Sequence, residues 1–175
     1  MPGGHLATAI ALGGVAYAAT GSREAAVGCF AGGFLIDVDH YLDYLFFEKQ
    51  WRRPGPLSFL AYYFRSMPKL LVLPLHSFEV MAILTALAIG LRSRFLTGYV
   101  LGAAMHLGFD MLINGDYALR QPVLFYFFWF RATRRFSAIK LLDVRIKPGA
   151  GEHPLKDFFK WRPLTERRTP GDKAP

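Results

Sequence analysis

The sequence predicts an all-α fold: an integral membrane helical bundle of about four transmembrane helices, followed by a basic cytoplasmic C-terminal tail. Three observations predict it. Hydrophobic residues make up 53% of the 175 and the mean hydropathy is +0.23, high for a soluble chain. Most of that apolar content gathers in four long segments. The charge gathers outside them, and 21 Lys and Arg against 13 Asp and Glu leave a formal net charge of +8.

The first segment, residues 5–20, is rich in Ala and Gly and is short for a full crossing. The second, 25–47, begins small ("AAVGCFAGGFLI") and ends aromatic. The third is 69–91 and the fourth 95–113. At about 1.5 Å rise per residue, 19 to 23 helical residues reach roughly 30 Å, the thickness of a bilayer core. Small residues recur in segments one, two and four, as close helix packing in lipid favours. A fifth apolar piece, "PVLFYFFWF" (122–130), is too short to span and reads as interfacial or re-entrant.

The connections set the orientation. Residues 48–68 carry Lys49, Arg52, Arg53 and Arg65, and the chain from Arg131 onward is strongly basic. Cationic connections stay on the cytoplasmic side, which puts both termini there. The expected division is a membrane-embedded domain over 1–130 and a basic, partly disordered tail over 131–175. The tail holds five of the 11 prolines, and its end, "TERRTPGDKAP", has the composition of a disordered segment. "HPLKDFFKWRPL" mixes cations with rings, which suits an anionic membrane surface. Nucleic acid is the weaker reading, because the piece adjoins apolar spans. The first 20 residues lack the basic start of a secretory signal. A single cysteine, Cys29, excludes an internal disulfide framework and argues against a structural thiolate zinc site.

The ionisable residues inside the apolar segments are acids and histidines, with Lys and Arg almost absent: His5, Asp37, Asp39, His40, Asp43, His76, Glu79, His106 and Asp110. That is the ligand set of a divalent metal, and in lipid such residues are a functional-site hypothesis by default. With both termini inside, four helices present them at similar depth. "HLGFD" puts His106 and Asp110 at i and i+4, on one helix face. "DVDH" puts Asp37 and His40 at i and i+3. The candidate metal ligands are His5, Asp37, His40, His76, His106 and Asp110. Asp39 and Ser77 are the candidate catalytic residues: Asp39 orients a ligand or is one, and Ser77 orients a neighbour or touches substrate. Each has a plainer alternative. Asp37, Asp39 and His40 could cap a helix end in water. Ser77 could bond its own backbone. Asp43 and Glu79 read as supporting acids, and Asp116 in "NGDY" as a turn residue.

In order, the early His, "DVDH", "LHSFE" and "GAAMHLGFD" resemble the YdjM-like family of membrane-bound metal-dependent hydrolases over roughly residues 1–115. Members are small, helical and associated with the inner membrane of bacteria or archaea. Many carry an Arg-Gly-containing approach to the His-Ser pair. Here the approach is "VLPLHS", which removes a phosphate-contacting arginine. The order His, Asp, His, then His-x-x-x-Asp is more distantly similar to zinc-dependent phospholipases C. The resemblance implies a hydrolase, most simply a phosphoesterase, acting on a lipid-derived or membrane-proximal substrate. It implies one or two Zn²⁺ ions, with Mn²⁺ or Fe²⁺ as alternatives. Membrane lipids are the expected partners, and a homo-oligomer is left open. The rival readings are a metal- or proton-carrying transport protein and a non-catalytic membrane scaffold.

Overall fold

The computed structural model describes residues 2–114, 119–147, 150–159 and 165–167. These residues are mostly helical. Helix α1 is Pro2–Thr20. Helix α2, Arg23–Gly33, begins at Ser22, whose hydroxyl accepts the Ala25 N–H at 3.2 Å. One 3-10 turn, Leu35–Asp37, then redirects the chain into α3, Val38–Phe46. Helix α4, Pro56–Arg65, opens with proline at its first position, where no amide partner is needed. Residues 69–77 are irregular apart from one bridge residue, and α5 is Phe78–Gly90. Helix α6, Arg94–Asn114, is the longest. Four short helices follow: α7 (Pro122–Phe125), α8 (Phe128–Thr133), α9 (Ala138–Leu141) and α10 (Pro154–Phe158). Strands β1 (Val144–Ile146) and β2 (Thr165–Arg167) pair antiparallel, with Arg145 opposite Glu166.

Helix α6 is the axis, packed against α1, α2 and α5. Its contact with α2 is backbone on backbone. A Cβ at Gly28 or Gly32 would overlap the carbonyls of Phe95 or Tyr99. One at Gly98 or Gly102 would overlap those of Ala25 or Cys29. Each helix thus offers a Gly-x-x-x-Gly face to the other, the small-residue packing common between membrane helices. Cys29 is fully buried at this contact.

The structure departs from the expected segments in four places. The second apolar segment is not one span, because the turn at 35–37 breaks it. The third is helical only from Phe78, because Pro74 has no N–H and its neighbours bond elsewhere. Among the described residues one helical stretch, Arg94–Leu112, is long and apolar enough to cross a membrane, and only 28% of it is buried. The aromatic piece 122–130 is partly core: Phe125, Tyr126 and Phe130 lie with Leu71, Leu73 and Leu107, while Val123 and Trp129 are exposed.

The expected boundary at residue 130 also falls inside the fold. Arg131 is fully buried, and Ala138, Leu141 and Val144 belong to the buried set. Of the segment expected to be disordered, Thr165–Arg167 forms a strand, while 168–175 lies outside the described residues. Helix α10 packs on α4, and Arg65 donates to the Gly151 carbonyl at 2.8 Å. Lys160, Trp161 and Arg162 of the aromatic-basic piece, and Asp116, lie outside the described residues.

The interlocked helices make a direct prediction. Gly32→Ala or Gly102→Ala should destabilise the fold by about 1–3 kcal/mol through overpacking. Gly14→Ala, where an added Cβ meets nothing within 4 Å, should not. Thermal unfolding followed by circular dichroism in one detergent measures all three, and indistinguishable melting curves would contradict the α2–α6 contact.

Candidate metal centre

Two histidines, His76 and His106, are each aimed by a partner at the far nitrogen. His106, on α6, is fully buried, and its Nδ1 lies 2.9 Å from the Gly33 carbonyl at the end of α2. A carbonyl only accepts, so Nδ1 carries the proton and Nε2 is left with its lone pair. His76 stands just before α5, equally buried, with Nδ1 3.0 Å from Asp39 Oδ2. In the neutral ring the same argument bares its Nε2. The two bare nitrogens face each other at 3.3 Å. Neutral imidazoles in these tautomers cannot hydrogen-bond to one another there. A cation between them resolves the contact: ligand atoms about 2.0–2.1 Å from a tetrahedral zinc ion stand about 3.3 Å apart.

Carboxylates complete the set. Asp37 Oδ1 is 3.4 Å from both His76 Nε2 and His106 Nε2. Asp110 Oδ2 is 3.5 Å from His106 Nε2 and 3.8 Å from His76 Nε2. The other Asp110 oxygen, Oδ1, reaches His5 Nε2 at 3.2 Å, and His5 stacks on His106 with ring centres 4.0 Å apart. His5 is buried, and among the described residues its Nδ1 has no hydrogen-bond partner. His40 sits at the edge, its Nε2 3.7 Å from Asp37 Oδ1 and its ring edge-on to His76. All six expected ligands are therefore brought together. Together with Asp39 they form, among the described residues, three overlapping groups that could hold a metal ion: His5–His106–Asp110, Asp37–His76–His106 and Asp39–His40–His76.

The two candidate catalytic residues are placed otherwise. Asp39 is fully buried, and its Oδ2 accepts the Leu75 and His76 amides at 3.0 and 3.3 Å besides the His76 ring. It therefore acts through His76, fixing tautomer and ring angle, as carboxylates behind metal-binding histidines do. Ser77 does not face the centre. Its hydroxyl donates to the Pro74 carbonyl at 2.7 Å and accepts the Val80 N–H at 3.3 Å, capping α5.

Asp39 is one of three acids from 38–48 that hold the segment before His76. Asp43 Oδ2 accepts Val72 N at 2.8 Å and Leu73 N at 3.4 Å. Glu48 accepts Lys69 N and the Tyr62 hydroxyl. On the other side Arg131 donates to the carbonyls of Leu73 and His76, each at 2.8 Å, and of Phe125 at 2.6 Å. Burial lowers Arg131 to about 10, which still leaves it protonated at neutral pH. Burial raises Asp43 to about 6, against the two amides that favour its charged form. For His76 burial opposes charge, but the Asp39 and Asp37 carboxylates outweigh it and raise the ring to about 10. A field that holds a proton so firmly holds a metal cation for the same reason.

No family model, curated protein or solved structure matches this chain. The likeness to the YdjM-like family therefore stands on the motifs alone.

Sequence reasoning missed Arg131, which it assigned to the tail, and the amide-holding roles of Asp43 and Glu48. Glu79, read as a supporting acid of the centre, instead accepts Phe128 N at 2.9 Å and Trp129 N at 3.3 Å, fixing the start of α8. One signal for Arg131 was available: it is the first cation after nine almost wholly aromatic and aliphatic residues.

Asp39→Asn should lower metal affinity about 10- to 100-fold with the fold intact, as loss of a partner behind a ligand does. Ser77→Ala should cost about 1 kcal/mol of stability, the worth of a helix cap, and leave metal affinity unchanged. Competition with a chromophoric chelator, beside thermal melts, reads both. A metal-binding defect in Ser77→Ala would return that hydroxyl to the site.

Proposed function

We propose that the protein is a membrane-embedded metal-dependent hydrolase, a phosphoesterase acting on a lipid-derived or membrane-proximal substrate. The observation that carries the reading is the 3.3 Å approach of two buried Nε2 atoms whose opposite nitrogens are committed to Asp39 and Gly33. A shared cation accounts for that approach with both tautomers in place; a second proton on His76, which Asp39 and Asp37 favour, would account for it without a metal, and elemental analysis separates the two.

His76, His106, Asp37 and Asp110 would hold the ion. A set of two imidazoles and two carboxylates suits Zn²⁺, with Mn²⁺ or Fe²⁺ as alternatives. A second ion is supported by Asp110, whose two oxygens face different histidines, His5 on one side and His106 on the other. When bound, such an ion supplies Lewis-acid activation of water toward an ester. The residues of this chain do the rest. Asp39 and the Gly33 carbonyl hold the rings, Asp37 and Asp110 balance cationic charge, and Arg131 anchors the backbone at His76.

The membrane part of the proposal rests on the outer surface. Ile10, Val15, Ile83, Leu87, Ile89, Leu101 and Leu112, on α1, α5 and α6, are all exposed and apolar. Soluble monomers rarely leave so large an apolar face uncovered. With the Gly-x-x-x-Gly packing of α2 on α6, this supports lipid around α1, α2, α5 and α6. An inner-membrane setting with both termini cytoplasmic belongs to the same proposal, and the cationic 48–68 connection is its support.

Protein purified in detergent should retain about one equivalent or more of a transition metal, by elemental analysis. Asp37→Asn and His106→Ala should be depleted. Hydrolysis of bis-p-nitrophenyl phosphate should stop on chelation, return with Zn²⁺, and be lost in His76→Ala. Metal-free wild-type protein, or activity indifferent to chelation, would end the proposal.

A further inference from the structure

The metal centre lies at one end of a cavity of about 560 Å³. That is the size of a small-molecule site. His5, Asp37, His40, His76 and Asp110 supply the polar end. Phe59, Leu60 and Tyr63 of α4 form one wall, and Phe34, Val38 and Phe158 another. Among the described residues no Lys or Arg lines it. The other polar groups on its wall are few, and one of them, Asp157, is buried with its carboxylate on the Gly151 amide at 2.7 Å.

The mouth is apolar as well. Leu35 and Val38 line the cavity and are still 51% and 46% exposed. Leu57, on the first turn of α4, is also exposed. Most of the lining between these residues and the histidine cluster is aliphatic or aromatic.

We infer that this cavity holds the hydrocarbon chain of a long-chain amphiphile that bears one compact phosphoester, with the ester against the histidine cluster and the chain along α4. Two features select that class. An apolar wall gains about 0.8 kcal/mol for each methylene it removes from water. A second or third negative charge on the ligand would enter a low-dielectric channel where no described residue offers a cationic side chain to meet it, which is costly. Nucleotides, nucleic acid and diphosphates are thereby disfavoured. The inference rests on the proposed phosphoesterase reading for the fate of the ester, but chain binding itself does not.

The test is photo-crosslinking in lipid nanodiscs with a long-chain alkyl phosphodiester carrying a diazirine near the chain end, followed by peptide mapping. The expected adducts fall on 56–65 and on Leu35, Val38 or Phe158. They should be displaced by excess unlabelled compound but not by ATP. Leu60→Arg should abolish these adducts, whereas Leu60→Met should keep them. In the zinc-loaded enzyme each added methylene, up to the length of the cavity, should raise kcat/KM about three- to fourfold. Adducts confined to the outer faces of α1, α5 and α6, displacement by ATP, or rates independent of chain length would overturn the inference. If bis-p-nitrophenyl phosphate is hydrolysed while cavity adducts are missing, only the chain site is refuted. If adducts form on protein that holds no metal, the chain site stands and the phosphoesterase reading falls.

Discussion

The structure depends on how residues 69–78 satisfy their backbone. This stretch mixes buried, partly buried and exposed residues and, before α5 begins at Phe78, has no helix of its own, so its buried amides need partners from elsewhere. Lys69 donates to Glu48, Leu71 to the Phe136 carbonyl, Val72 and Leu73 to Asp43, Leu75 and His76 to Asp39, and Phe78 to the Tyr126 carbonyl. Pro74 has no amide to satisfy. Leu73 sits at a φ of 43°, a left-handed conformation that costs a non-glycine residue about 1–2 kcal/mol. Asp43 on its amide and Arg131 on its carbonyl hold it there. Without this scaffold of three acids and one arginine, His76 would have no defined position.

The same groups solve an electrostatic problem. Buried carboxylates and imidazoles are expensive in an apolar surrounding unless every one is paired. Asp39 and Asp43 are offset by backbone amides, which cost the fold nothing extra because those amides needed acceptors anyway. Asp37 and Asp110 turn toward the imidazoles. One pair of acids therefore builds the loop, and the other faces the histidines of the candidate centre.

Helix packing sets the remaining coordinate. His106 reaches the Gly33 carbonyl because α2 and α6 approach closely enough for their backbones to touch, which only the glycines on both helices permit. The small residues of the second and fourth apolar segments thus have a local consequence at the metal centre. They bring the end of α2, and with it Asp37, to the side of α6 that carries His106 and Asp110.

The motifs by themselves picked out the residues that converge: His5, Asp37, His40, His76, His106 and Asp110. For His106 and Asp110 this was possible because their i,i+4 spacing survives in any helix. The helical class and the close-packed small-residue faces were legible for the same local reason. Tertiary structure alone decided where the helices stop, that Ser77 is a cap, that Asp39 works through His76, and that Arg131 and the chain beyond it belong to the core. Those outcomes turn on which distant amide or carbonyl a side chain meets. A hydrogen bond between residues 39 and 76, or 131 and 73, leaves no trace in local spacing or composition.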